Sequence, residues 1–206
     1  MTELRSETPE ARPLEFRQRA PGHSPRSSLV EAAKFRAVVG HSPTGVSVVT
    51  TRDRHGGNHG ITVSSYASLS LEPPLVLACI DRRSRIHQVL TAATSFAISI
   101  LSADQEPVAH RFASRTDDRF AGIATSPGKL GNMLIAEAVA YLECVLVDAY
   151  GGGDHSIIVG AVVSAEAREG LPLLHFCGGY TEPVGRRRTR ADVGAESEDT
   201  RPATPS

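Results

Sequence analysis

The residues with the most to offer chemically lie between His59 and Ile86. Strand alternation puts Thr62, Ser64, Tyr66 and Ser68 on one side and Ile61, Val63, Ser65 and Ala67 on the other. The first set is a row of hydroxyls. Pro73-Pro74 then predicts an extended link, since neither residue donates to a ladder. Leu75 to Ile80 is continuously apolar, the pattern of a strand buried on both faces. It runs into Asp81-Arg82-Arg83-Ser84-Arg85 and then the helical spacing Ile86, Val89, Leu90, Ala93. This order suits a ligand with a planar polar head and a phosphate: hydroxyls for the ring, and Ser84, Arg85 and the N–H groups of a helix start for the anion. On residue types alone the alternative stays open, an exposed Ser/Thr face and a solvated turn capped by Ser84. Asp81 either accepts from a ring N–H or caps the turn. Arg82 and Arg83 read as solvated neighbours.

Other combinations narrow the chemistry. No G-x-G-x-x-G joins a strand to a helix, and Gly122…Gly128-Lys129-Leu130 lacks P-loop spacing and a Ser/Thr after the lysine. A pyridine nucleotide, if used, is therefore not held in a Rossmann crevice. His55 and His59 have the i, i+4 spacing of zinc ligands, but Gly56-Gly57 between them argues against a helix. Cys79, Cys144 and Cys177 lie far apart, without C-x-x-C, so no metal site and no disulfide scaffold is expected, and a reducing, cytoplasmic setting is. His155 follows Gly151-Gly152-Gly153-Asp154 at a strand start, as a surface residue or a functional one.

The elements that must position these groups follow from period and punctuation. Met1 to Ser28 has no sustained period and is expected to be a disordered arm; Glu182 to Ser206, with its Arg-Arg-Arg-Thr-Arg run, a disordered tail. Between them, 29–181 forms one domain. Ser27 or Ser28 caps a helix with Leu29, Val30, Ala33, Phe35, Val38 and Val39, stopped by Gly40 and Pro43. Gly45 to Thr51 is a strand that turns at His55-Gly56-Gly57-Asn58 into the hydroxyl strand. Further strands are Phe96–Leu101, one from Ala138, His155–Glu166 and, last, Pro172–Phe176; helices cover 84–94 and Asp104 to about Ser114, and 122–134 is a loop. About six strands with short turns predict a mainly β (α+β) fold, a small barrel with inserted helices, over a doubly wound sheet, whose parallel crossovers need longer links.

The chain has 206 residues with 22 basic and 23 acidic side chains, a balance that points to neither a nucleic-acid nor a membrane partner. Lys34 and Lys129 are its only lysines. No apolar run reaches the length of a signal peptide core or a membrane span.

Thr62-Val63-Ser64-Ser65-Tyr66-Ala67-Ser68-Leu69-Ser70-Leu71-Glu72-Pro73-Pro74-Leu75, with its basic Ser-containing turn, resembles the flavin-binding segment of the flavin reductase-like family, whose fold is an FMN-binding split barrel. Gly152-Gly153-Asp154-His155 before the strand Ser156–Gly160 resembles the same family, as does Pro172-Leu173-Leu174-His175-Phe176-Cys177-Gly178-Gly179-Tyr180. The resemblance covers about residues 29–181 and implies an NAD(P)H-dependent flavin reductase, a homodimer, supplying reduced FMN or FAD to a flavin-dependent monooxygenase. It implies that Thr62, Val63, Ser64, Ser65, Ser68, Cys79, Ile80 and Asp81 hold the flavin ring, and that Ser84, Arg85 and Ile86 hold its phosphate. Arg111 and Phe112 fall at the rim of the flavin site. His155 becomes the candidate catalytic residue, orienting nicotinamide and flavin, with His175, Phe176, Cys177, Gly178 and Tyr180 on the nicotinamide side. Cys177 stands where the family carries arginine, which keeps open a flavin- or haem-binding protein without turnover. A related barrel serves pyridoxamine phosphate oxidases, a third reading.

Overall fold

The computed structural model describes residues 29–184; the expected arm and the basic run of the tail lie outside them. Helix α1 (Ala32–Val39) leads into β1 (Thr44–Gly45), β2 (Ser47–Arg52), β3 (Asn58–Val63), β4 (Ala67–Leu71) and β5 (Pro74–Asp81). Then come α2 (Arg85–Ala92), β6 (Ser95–Ile100), a single 3-10 turn and α3 (Glu106–Ala113). A hairpin of β7 (Thr125–Pro127) and β8 (Met133–Ile135) precedes the long strands β9 (Ala140–Gly152) and β10 (His155–Ala167), then β11 (Leu174–Phe176) and β12 (Gly179–Thr181).

Seven strands form one sheet in the order β3-β2-β6-β9-β10-β5-β4, every pairing antiparallel. Its two edge strands are consecutive in sequence, separated only by Ser64-Ser65-Tyr66. A flat seven-stranded sheet would hold its edges roughly 29 Å apart, and the four Cα steps from Val63 to Ala67 span at most about 14 Å. The sheet therefore rolls up, and its open seam runs beside Ser64–Tyr66. This geometry is a split barrel, and the all-antiparallel ladder excludes the doubly wound alternative.

Two apolar clusters fill the fold. Val49, Val63, Val76, Ala78, Ile80, Phe96, Ile98, Cys144 and Ile158 line the barrel interior, closed by Ile86 and Leu90 one helical turn apart on α2. Val46, Val48, Leu101, Ile135 and Leu173 take the other side of β2, covered by Ala109 and Phe112 of α3. Serving both cores, β2 is buried at five successive positions.

Several expectations are corrected. The hydroxyl segment is not one strand: it breaks at Ser64–Tyr66, because the chain must cross from one sheet edge to the other. Leu71 pairs with Pro74, so Glu72-Pro73 is a two-residue hairpin turn, with a cis peptide bond, rather than an extended link. Burial alternates along β5, with Val76, Ala78 and Ile80 inside and Leu75, Leu77 and Cys79 half-buried, since the second face meets no covering layer. The expected loop 122–134 contains β7 and part of β8, and β12 follows the strand taken as last. Helix α1 starts at Ala32 and buries none of its residues, so its apolar stripe stays exposed among the described residues.

Candidate functional site

The seam between β3 and β5 holds Thr62 and Ser64 of the hydroxyl row, with Ser65 beside them. No main-chain hydrogen bond joins Ser64, Ser65 or Tyr66 to another segment among the described residues. Such donors and acceptors seldom go unpaired, and these lie where the chain passes between the two sheet edges. The Ser65 hydroxyl is committed: it donates to Cys79 O at 2.9 Å and accepts from Cys79 N–H at 3.1 Å. Thr62 Oγ1 donates to Ala109 O at 2.6 Å, tying β3 to α3 and leaving only its lone pairs for a ligand. Ser64 is exposed, with no side-chain partner among the described residues. Ser68 sits exposed on β4, outside the cavity described next.

A cavity of about 160 Å³ opens here, and it joins Thr62, Val63 and Ser64 to His175 and Tyr180. Its walls are Val46 and Ala113. The residues expected to serve a flavin and those expected to serve a nicotinamide thus share one space, brought from opposite ends of the domain. Tyr180 is fixed between His175 and His110, edge-on to both, at ring separations of 5.8 and 4.9 Å. Burial, and then the Glu106 charge, raise its hydroxyl above the ordinary tyrosine value. Phe176 is half-exposed, edge-on to His41. Cys177 and Gly178 form the β11–β12 turn with φ of +48° and +83°, and Cys177 N–H donates to Gly40 O at 2.8 Å.

At the far end of β5 the basic turn is tightly organised. Asp81 caps it, one of the two sequence readings: its Oδ1 accepts from Arg83 N–H at 2.8 Å, and Arg83 Nη2 reaches Oδ2 at 3.0 Å. The Arg83 side chain first, then its N–H, hold the Asp81 carboxyl down at about 2. Ser84 donates to Asp81 O at 2.6 Å. The first N–H groups of α2, on Arg85 and Ile86, have no main-chain acceptor among the described residues. Arg82 is less of a bystander than expected: its N–H donates to Asp154 O, and its Nε reaches Ser156 Oγ at 3.4 Å.

Arg85 Nη1 donates to Asp117 Oδ1 at 2.7 Å. Beside it lies a second arginine that sequence reasoning missed. Arg119 donates to Gly60 O and to Ser114 O, each at 2.6 Å. Burial, and secondarily the Arg85 charge, lower its pKa. Arg85, Arg119 and His59 line a cleft of about 80 Å³ below the start of α2. The Arg-Phe pair after two aspartates was the available signal; only the fold shows that it returns to β3.

Five of the expected site residues, Ile80, Ile86, Arg111, Phe112 and His155, do not line the cavity shared by His175 and Tyr180. The side chains of Ile80, Ile86 and Phe112 are buried in the core, so Ile80 and Ile86 can meet a ligand only through their main chain. Phe112 packs edge-on against Phe120 at 5.0 Å, under α3 rather than at a rim, while Arg111 reaches Ala121 O at 3.3 Å on the surface. His155 opens β10 opposite Asp81, with Nδ1 2.7 Å from Asp154 Oδ1, and does not line the cavity that holds His175. A larger open cleft of about 840 Å³, around Asp104, Glu137 and Arg168, includes none of the candidate residues.

The arrangement suits a flat, edge-polar ring in the seam with an anionic group toward α2. Comparison with known proteins points the same way. Residues 39–183 match the family described as flavin reductase like domain. The chain is 37% identical over 180 residues to the reductase subunit of a flavin-dependent monooxygenase from Mycobacterium tuberculosis, covering 86% of this chain and 89% of that one. It is 40% identical over 146 residues to a flavin reductase (NADH) from Kitasatospora aureofaciens, covering 70% and 76%. Among solved structures, the NADH:FAD oxidoreductase of Streptomyces globisporus in complex with NAD and FAD fragments superposes with a TM-score of 0.69 at 40% identity, over 79% of this chain and 97% of that one.

Proposed function

Since this chain belongs to the flavin reductase-like family, we propose that it is an NAD(P)H-dependent flavin reductase that supplies reduced FMN or FAD to a separate monooxygenase. The observation that carries the reading is the shared cavity, which sets the hydroxyl strand against His175 and Tyr180 at a seam whose main chain is unpaired. The flavin, when bound, supplies the hydride chemistry by accepting from the reduced nicotinamide. The protein binds, orients and shields. Ser64 and the main chain of Val63, Ser65, Ile80 and Asp81 hold the ring edge, with Thr62 accepting, while Cys79, whose main chain is taken by the Ser65 hydroxyl, lies alongside. Ser84, Arg85 and the N–H groups at the start of α2 take the phosphate. His175 and Tyr180 wall the nicotinamide side, and His155, steadied by Asp154, orients the bound pair from the β5–β10 end.

The active species is a homodimer. Leu29, Val30, Phe35 and Val38 on or beside α1, and Val145, Val147 and Val163 on β9 and β10, are exposed apolar side chains that a second copy would cover. A cytoplasmic location is supported by three free cysteines, one of them, Cys144, buried with its thiol pushed up to about 12. No helix among the described residues is long and apolar enough to cross a membrane.

The test is NADH and NADPH consumption under air by the purified protein, with and without FMN, FAD or riboflavin. Flavin-dependent turnover supports the reductase and identifies donor and acceptor together. Flavin binding without turnover would replace it with the binding-protein reading. Oxidation of pyridoxamine phosphate without NADH would replace it with the oxidase.

A further inference from the structure

The segment 114–121 is held to the barrel at several points. Arg119 clamps it to Gly60 O on β3 and to Ser114 O. The Asp118 carboxylate accepts from Phe120 N–H and Ala121 N–H, both at 3.0 Å, and Phe120 packs on Phe112. The residue this frame presents is Asp117. It is 95% exposed, and its one side-chain partner among the described residues is the Arg85 guanidinium, 32 positions earlier in the chain. The charges at this cleft are Arg85 and Arg119 against Asp117 and Asp118, with His59 adding positive charge only when protonated. The aspartates thus cancel the arginines just where an incoming anion would gain from them.

We propose that Asp117 is a built-in competitor for the flavin phosphate, holding the Arg85 guanidinium that the phosphate must take and so setting how readily phosphorylated flavin leaves. The proposal rests on the reading of Arg85 as the phosphate partner. A guanidinium that exchanges one anion for another gives less net binding than one met bare, because a formed ion pair must first be broken. Neutralising Asp117 also removes a negative charge from the path of a dianion. Riboflavin, without a phosphate, is indifferent to both effects. For a protein that passes its product to another enzyme, weak retention is an advantage.

The test compares FMN and riboflavin affinities, by fluorescence titration at low ionic strength, for the full chain and its Asp117→Asn, Arg85→Ala and doubly substituted forms. Asp117→Asn is expected to tighten FMN about three- to fivefold and to slow its dissociation by a similar factor. Riboflavin should not change, and in the Arg85→Ala background the FMN gain should shrink toward nothing. If Arg85→Ala weakens FMN alone while Asp117→Asn leaves FMN unchanged, the competitor is overturned and the phosphate site stands. If Arg85→Ala weakens FMN and riboflavin equally, the phosphate reading falls and the proposal with it.

Discussion

The Ser65 hydroxyl satisfies both main-chain polar groups of Cys79, donating to its carbonyl and accepting from its N–H. It does so where the chain crosses from β3 to β4 and no ladder is available. One side chain thereby stitches the seam to β5.

Ser65→Ala should cost about 1–3 kcal/mol, since two half-buried polar groups lose their partner. Urea unfolding would show it as a lower midpoint. FMN and riboflavin should weaken together, because Ser65 shapes the seam rather than touching the phosphate; a loss confined to FMN would refute this role.

Gly160→Ala tests the barrel interior. A Cβ at this position of β10 would lie 2.6 Å from Phe96 Cε1 and 2.8 Å from Cys144 Cβ. Both neighbours are fully buried, leaving little room to give. Destabilisation of about 1–3 kcal/mol is expected from overpacking, measurable by thermal melting. An unchanged melting temperature would mean that the interior is looser than this packing.

Cys177→Arg supplies the arginine that the family resemblance leads one to expect at this position. Cysteine and arginine tolerate a φ of +48° about equally badly, and the position is exposed, so stability should move little. The new guanidinium stands on the turn beside the cavity walled by His175 and Tyr180. A fall of about three- to tenfold in KM for NADH or NADPH, with kcat held, is the expected result in steady-state kinetics. Unchanged KM would place the nicotinamide's grip elsewhere.

The β2–β3 turn predicts an acid limb. The bond to His59 first, then the Gly57 and His55 N–H groups, hold Asp53 at about 2, below its ordinary value of 3.8. A carboxyl lowered by folding contributes stability above its unfolded pKa and loses it as pH falls through the folded one. The contribution is therefore present at neutral pH and disappears between about pH 4 and 2. Asp53→Asn should lower stability at pH 7 and flatten the pH dependence in that window. Parallel wild-type and variant curves would sink the assignment.

What the sequence determined by itself was local and chemical. Period-two alternation, the Gly turns at 56–57 and 151–153 and the Ser84 helix start gave strands, hairpins and α2 close to where they lie, because these depend on neighbours a few residues apart. The family came into view through resemblance of the 62–75, 152–160 and 172–180 segments. Tertiary structure decided the rest. Ser64–Tyr66 reads as mid-strand until closure demands a crossing between sheet edges, and Phe112, which the family resemblance sets at a rim, lies in the second core under α3. The role of Arg119 shows only in the fold, since its partner Gly60 is 59 positions away and barrel closure brings them together. His175 meets Thr62 for the same reason. Which hydroxyls stay available to a ligand and which are consumed in holding the barrel is likewise settled by long-range contacts: Ser65 and Thr62 are engaged across the fold, and Ser64 is not. Residue types state what chemistry is possible; closure of the sheet selects which of them meet.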